Sequence, residues 1–572
     1  MIHYYISYIN PLTSFMQIQM VIPVQEVMAM ELQLPAWRPG RYELQNFAQK
    51  VQHFRVVDAQ EQPLKFKKIT KDRWLIEGTE QTEVTVLYNF YAHQMDAGGS
   101  WLDETQLYIN PVNCMMSVAG LENQACQLQL TIPPNWQIAT GLKQINPHTL
   151  QAASYDELVD CPLIASANLQ CQTYWVNSIP FHVWFQGDCQ PDWDVLLTDF
   201  KKFTHAQLQL FGNFPVSEYH FLNQILPYRF YHGVEHSNST VIALGPGELL
   251  MTRDVYKELL GVSCHELFHT WNIKQIRPAE MMPYDYTGEN YFRTGYVAEG
   301  ITTYYGDYLL ARCGVFSTDQ YFTELNEVFR KHFDDQGQHY LSVADSSFDL
   351  WLDGYKPGIP DRKVSIYHKG CIAALILDLE IRKITTNQKS LDDVLRSLWQ
   401  QFGKTQTGYT EQDYQCLAEE VAGQSLQMYF DDIINGTVPV QDSLNQTLLY
   451  VGCTLQPTVN PGITEARFGF RTSFNNTNLL VSYIEPNSPA AQVLALEDEL
   501  VAINGRKIEG NLAGLVQQKS TLEITLFRNK TLRTITLVAD GKPHLTKYLI
   551  RKLPAASPEQ RENFKNWINQ AF

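Results

Sequence analysis

The sequence predicts a multidomain α+β protein, on three observations: its length, a change of hydrophobic period along the chain, and a return to short strands near the end. At 572 residues the chain exceeds what one core usually organises, and three to four domains is the natural division. Residues 1–170 form the first, all-β, because Met16–Ile22 and Val84–Tyr91 alternate or run apolar with aromatic and β-branched residues between Pro and Gly punctuation. Helical periodicity then dominates Val255–Lys274, Gly295–Arg312, Lys369–Lys383 and Leu391–Phe402. These segments divide into 171–312, with the chemically richest motif, and a helical part, 313–445. Ser390 and Thr410, each with an Asp three residues on, mark helix starts of the capping-box type. After Gly436 short strands return, with a turn at Pro486–Pro489 and a hairpin signal at Asn504-Gly505. A compact module over 446–545 follows, then a tail, 546–572, whose Glu559–Trp567 stretch predicts a packed amphipathic helix.

Composition narrows the function classes. Hydrophobic residues are 44% and charged residues 18%, which is globular rather than disordered. A formal charge of −17 has the wrong sign for nucleic acid or anionic lipid, so neither is an expected partner. The start, Met1–Pro23, lacks the basic and apolar regions of a signal peptide, and the best apolar run, Cys371–Leu377, is far short of a membrane helix. Ten scattered cysteines without a CxxC pair read as reduced thiols. A cytoplasmic protein that does not enter a membrane is the expectation.

The chemistry centres on His265-Glu266-Leu267-Phe268-His269. Two histidines four apart share one helix face and can meet one metal ion, while Glu266 reaches the water to be activated there. Chance supplies only about 0.02 such strings in a chain of this size. A catalytic zinc needs a third protein ligand and an open position. Glu299 is the candidate, early in its helix, with Glu280, Asp285 and Glu289 also in the interval. Two further motifs stand out. Gly233-Val-Glu235-His236 places an acid beside a histidine in a strand-rich stretch, and Tyr367-His-Lys-Gly opens a helix where a phenol could face a developing oxyanion.

These residues, with Leu34-Pro-Ala-Trp-Arg-Pro-Gly-Arg-Tyr42, Tyr155-Asp-Glu-Leu-Val-Asp160, the run from His265 to Pro278 and Val297-Ala-Glu-Gly, make the chain resemble the glycyl-aminopeptidase family of gluzincin metallopeptidases, peptidase family 61 of the metallo class. The resemblance implies an N-terminal β-saddle, a thermolysin-like catalytic domain, an α-helical domain and a C-terminal PDZ domain. It implies one Zn²⁺ on His265, His269 and Glu299, with Glu266 as general base and Tyr367 on the tetrahedral intermediate. Glu235, with Gly233, matches the motif whose glutamate binds the substrate's free α-amino group; His236 replaces that motif's asparagine. The implied substrates are peptides with a free N-terminus, glycine or alanine first. Thr303 and Asp307 are open as supports for the histidines. The competing readings are a PDZ-mediated peptide-binding protein with little or no catalysis, and a zinc endopeptidase, against which Glu235 argues.

Residues from about 455 to 540 look like a PDZ domain. Phe468-Gly469-Phe470 resembles its carboxylate-binding loop, which holds a partner's C-terminus through backbone N–H groups.

Overall fold

The computed structural model describes residues 1–24, 29–77, 82–356, 358–510 and 512–572. By backbone contact it divides into two units: Met1–Tyr321 with Gly337–Val440 and Arg561–Phe572, and Phe322–Gln336 with Gln441–Gln560.

The first unit begins with β structure. Phe15–Pro23 buries Met16, Ile18, Met20 and Ile22, and Glu83–Tyr91 buries Val84, Val86, Tyr88 and Phe90. Such a period of two puts one face of each strand on a core, and each large apolar side chain so buried stabilises by roughly 1.5–3 kcal/mol. Both expected strands are present, extended by one residue at one or both ends. They pair with each other inside a seven-stranded sheet that also holds Ile2–Ser7, which runs parallel to Cys126–Thr131.

A five-stranded sheet carries the chemistry. Its spatial order is Gln170–Val176, Ile179–Gln186, Tyr219–Ile225, Ser239–Gly245 and, at the edge, Phe230–Glu235. The three central strands are parallel, and the edge strand runs antiparallel to its neighbour. Helix α1 (Trp193–Phe211), capped by Asp192 accepting from Val195 N–H, links two of the parallel strands. Helix α2 (Arg253–Phe268) packs on this sheet, and α3 (Thr302–Arg312) packs on α2, close enough that a side chain at Gly306 would stand 3.3 Å from His265 Cβ.

Two helix expectations need correction. The helix expected to reach Lys274 ends at His269, because Ile273 is turned to φ +95° and the chain folds back into turns. The helix expected from Gly295 opens as a π-helix over Tyr296–Ile301 before α3 begins, a wide turn of the kind found at functional sites. Helix α4 (His368–Ile384) crosses it glycine on glycine: a side chain at Gly370 would stand 2.7 Å from Gly300 Cα. Thr410 and Asp413 form their capping box, with Asp413 N–H on Thr410 Oγ1 and Thr410 N–H on Asp413 Oδ2, and Ser390 and Asp393 form another. The expected terminal helix spans Pro558–Ile568 and buries Phe564 and Trp567.

The second unit holds an antiparallel sheet in the order Phe470–Asn475, Asn478–Ile484, Glu499–Ile503, Thr521–Arg528, Thr531–Val538. Asn504 and Gly505, both at positive φ, turn the chain back to Arg506–Lys507, the geometry of a type I′ hairpin. Lys547–Lys552 is a strand paired with Cys453–Thr458, so the tail from 546 is not helical throughout. Phe468 and Phe470 are buried, and Gly469, at φ +76°, ends the helix Ile463–Phe468 by donating its N–H to Glu465 O. One N–H of the loop expected to hold a carboxylate is thus already committed. All ten cysteines are free thiols, and no helix among the described residues is long and apolar enough to cross a membrane.

Candidate functional site

The helical spacing of His265 and His269 turns both rings to one side of α2, with Nε2 atoms 3.1 Å apart. Glu299, delivered by the π-helix, brings Oε2 to 3.4 Å from His269 Nε2 and 3.9 Å from His265 Nε2. Ligand atoms bound at ~2.0–2.1 Å around a tetrahedral zinc stand about 3.3–3.4 Å apart, so this donor set fits one such ion. Among the described residues, Glu280, Asp285 and Glu289 do not join the cluster; Asp285 accepts from Thr287 in its own turn.

The hydrogen bond behind His269 fixes its chemistry. Nδ1 lies 2.9 Å from Asn272 O; a carbonyl only accepts, so Nδ1 carries a proton and Nε2 is the nitrogen left to a metal. Asn272 does more: its Nδ2 donates to Val297 O, Ala298 O and Thr302 Oγ1. One amide therefore ties the turn after the histidines to the π-helix that carries Glu299. The helical pattern in the sequence continues through Asn272 to Lys274, so spacing does not single this residue out. Of the two supports left open, Thr303 Oγ1 is buried with no hydrogen-bond partner. Asp307 Oδ1 would lie 3.5 Å from a side chain at Gly261, one turn before His265.

Electrostatics differ sharply between the two rings. Burial pushes His265 well below its ordinary pKa, and His269 pushes it further. For His269, burial opposes charge, but the Glu299 carboxylate outweighs it and holds the pKa up to about 10. Glu266 is buried, and desolvation drives its carboxyl well above the usual range; His269 pulls it down, while Glu235 and Glu299 add to the rise. Its Oε2 has no hydrogen-bond partner.

Gly233 and Glu235 sit on the edge strand, two apart and so on one face. A methyl group at Gly233 would meet Val262 Cγ2 at 2.7 Å and Glu266 Cδ at 2.9 Å, so only glycine lets the edge strand lie against Glu266. Glu235 is 5% exposed with Oε1 unpartnered. Gly40, at φ +79°, closes over it: a side chain there would stand 2.7 Å from Glu235 Oε1. The segment Leu34–Tyr42 thus forms part of the site. Tyr42 OH is also buried without a partner.

Tyr367 stands at the start of α4, half-buried, its hydroxyl 3.4 Å from Tyr355 OH, which in turn lies 3.4 Å from Gly40 O. Burial and the Glu299 charge raise both phenols, so they are protonated donors at neutral pH. His236 has its Nδ1 3.4 Å from Asp160 Oδ1, and Asp160 also takes Ser237 N–H, Ser237 Oγ–H and, at 2.6 Å, Lys274 Nζ. Despite its burial, Asp160 is held well below the carboxylate range by Lys274 and His236. This buried knot joins the N-terminal β region to the turn after α2 and to the end of the edge strand.

Residues 3–167 match the family model described as the Peptidase M61 N-terminal domain, and residues 258–373 match M61 glycyl aminopeptidase. No curated protein matches the sequence. Among solved structures, an aminopeptidase N family protein from Idiomarina loihiensis is 26% identical with a TM-score of 0.91, covering 99% of this chain and 100% of that one. An M1 zinc metallopeptidase from Deinococcus radiodurans is 13% identical with a TM-score of 0.47, covering 77% of this chain and 93% of that one. The family matches and the Idiomarina structure support a peptide hydrolase.

Proposed function

We propose that this chain is a zinc-dependent aminopeptidase that removes an N-terminal residue, preferentially glycine or alanine, from peptides. The observation that carries the reading is the convergence of His265, His269 and Glu299 within 3.1–3.9 Å beside two buried carboxylates, Glu266 and Glu235, that each keep an unpartnered oxygen. His265, His269 and Glu299 would hold the zinc ion, which would supply Lewis acidity toward water and toward the scissile carbonyl. Glu266, with its raised pKa, takes the attacking water's proton and hands it to the leaving amine. Tyr367 donates its hydroxyl to the oxygen that gains charge. Glu235 pairs with the substrate's ammonium, and the Gly40 turn closing over it leaves no room for a preceding residue.

The catalytic region is read as thermolysin-like, supported by the parallel sheet with an antiparallel edge strand and the packed pair α2 and α3. The C-terminal sheet is read as a PDZ-type module for a partner's C-terminus, tested by titrating carboxyl-terminal peptides against the full chain. The main test is hydrolysis of free-amino and N-acetylated glycyl and alanyl amides, with zinc and with a chelator. Chelator-sensitive cleavage confined to free-amino substrates is expected, and Glu235→Ala should remove that confinement. Equal cleavage of blocked substrates by the unaltered chain would overturn the reading in favour of an endopeptidase.

A further inference from the structure

Among the described residues around this site, Arg38 is a basic group whose partners do not account for it. It is 3% exposed, yet its guanidinium makes a single hydrogen bond, from Nη1 to Pro39 O at 3.2 Å. Its Nε is buried and unpartnered, and among the described residues no carboxylate lies within ion-pair distance of it. A guanidinium taken out of water is ordinarily paired. Asp96, whose charge senses Arg38, is already engaged by Gln94 Nε2 and Gly98 N–H.

Its position is fixed by glycine. The guanidinium packs where a side chain at Gly98 would stand. The neighbouring residue, Ala97, donates its N–H to His232 Nδ1, and His232 immediately precedes Gly233 on the edge strand. Along that strand the proposed ammonium site is Glu235 and the proposed base, Glu266, lies against Gly233. A peptide laid antiparallel on the strand edge, its N-terminus at Glu235, therefore carries its next residue past His232. Packed on Gly98 next to Ala97, the Arg38 guanidinium stands at the level of His232, which in that register is the leaving-group side. Its charge reaches Glu266 and Tyr355 as well, consistent with a place beside the cleft.

We propose that Arg38 binds a carboxylate carried by the residue immediately after the scissile bond, which makes short peptides ending there, or peptides with an acidic residue there, the preferred substrates. This rests on the aminopeptidase reading for the direction of the peptide. A planar fork of N–H donors suits a carboxylate in two-point contact, and the chain's own groups leave it that role.

The test compares glycyl-alanine, glycyl-alanine amide and glycyl-glutamic acid α-amide in the full zinc-loaded chain. We expect kcat/KM for glycyl-alanine to exceed that for its amide by about tenfold or more, chiefly through KM, the order seen when a charged hydrogen-bond partner is lost. Glycyl-glutamic acid α-amide matching the free acid assigns the carboxylate to a side chain as well as a chain end; behaving like the plain amide confines it to the chain end. Arg38→Gln should bring the acid-to-amide ratio to about one, and Arg38→Lys should keep part of it. A ratio near one in the unaltered chain, or acid and amide losing activity together in Arg38→Gln, would overturn the proposal. Calorimetric binding of glycyl-alanine and its amide to Glu266→Gln, with and without Arg38→Gln, reads the same ratio without turnover. Binding that follows Arg38 with no hydrolysis by the unaltered chain would overturn the aminopeptidase reading alone.

Discussion

Replacing Gly233 with alanine should disable catalysis while leaving the metal in place. The added methyl would stand 2.7 Å from Val262 Cγ2 and 2.9 Å from Glu266 Cδ. Carbon contacts settle at roughly 3.5–4.0 Å, so the carboxyl carbon must retreat by about 0.6–1.1 Å. A misplacement of about 1 Å at a reacting group costs on the order of 10²-fold in rate, and the overpacking itself about 1–3 kcal/mol in stability. Gly212→Ala is the control: that glycine is also restricted, at φ +86°, but nothing lies within 4 Å of the added methyl, so it should cost about 1–2 kcal/mol of strain and no activity. The assay is kcat on a glycyl amide, with zinc content by atomic absorption and melting temperature for both variants. If Gly233→Ala binds zinc, melts within a few degrees of the unaltered chain and keeps kcat within about threefold, the placement of Glu266 against the edge strand is wrong.

Asn272→Ala should weaken zinc about 10–100-fold, because it releases the Val297 and Ala298 carbonyls from the turn that supports His269; competition with a chromogenic chelator measures it, and unchanged affinity refutes it. With His269 held up to about 10 by Glu299, zinc uptake at about pH 8 should expel about one proton, seen as a buffer-dependent heat in calorimetry and absent above about pH 11; a buffer-independent heat at the lower pH refutes it. Asp160→Asn should cost about 3–5 kcal/mol by stranding Lys274. Because Asp160 is depressed in the folded chain, its contribution is present above about pH 4 and fades as pH falls below that, which denaturant melts of both proteins at neutral and acid pH would resolve. Lys369, buried and lowered to about 8, predicts a slope of the same sign in the alkaline range: the unfolded chain holds more protons between about pH 8 and 10.4, so stability rises there by up to about 3 kcal/mol. Lys369→Met should flatten that rise in urea melts.

The legible parts of the site were those written in local spacing. The histidines and Glu266 share one helix, so a period of 3.6 residues was enough to group them, and the alternation in Met16–Ile22 was enough for a strand. Glu299 needed a second helix, and its candidacy depended on a packing that spacing leaves open. Asn272 lies in a stretch whose apolar residues continue the helical pattern, while Ile273 at φ +95° breaks it; a β-branched residue gives no warning of a left-handed turn. Arg38 and Gly40 come from one segment and Tyr355 from another, 315 residues on from Gly40, where no period relates them. The strand Lys547–Lys552 was hidden by its charges, three basic residues in six, which favoured reading a polar helix.

The turn at Gly40 has a consequence for how such an enzyme can be divided. The proposed metal ligands, base and ammonium partner all lie between Glu235 and Glu299, so a fragment of that region carries the proposed reacting groups other than Tyr367. What stops the cleft beyond Glu235 is supplied by the first forty-two residues, locked on through Asp160 and Lys274. On the proposed reading, the groups that break the bond and the turn that limits it to a chain end belong to different segments of one polypeptide, and lifting that turn away would turn a trimmer of ends into a cutter of middles.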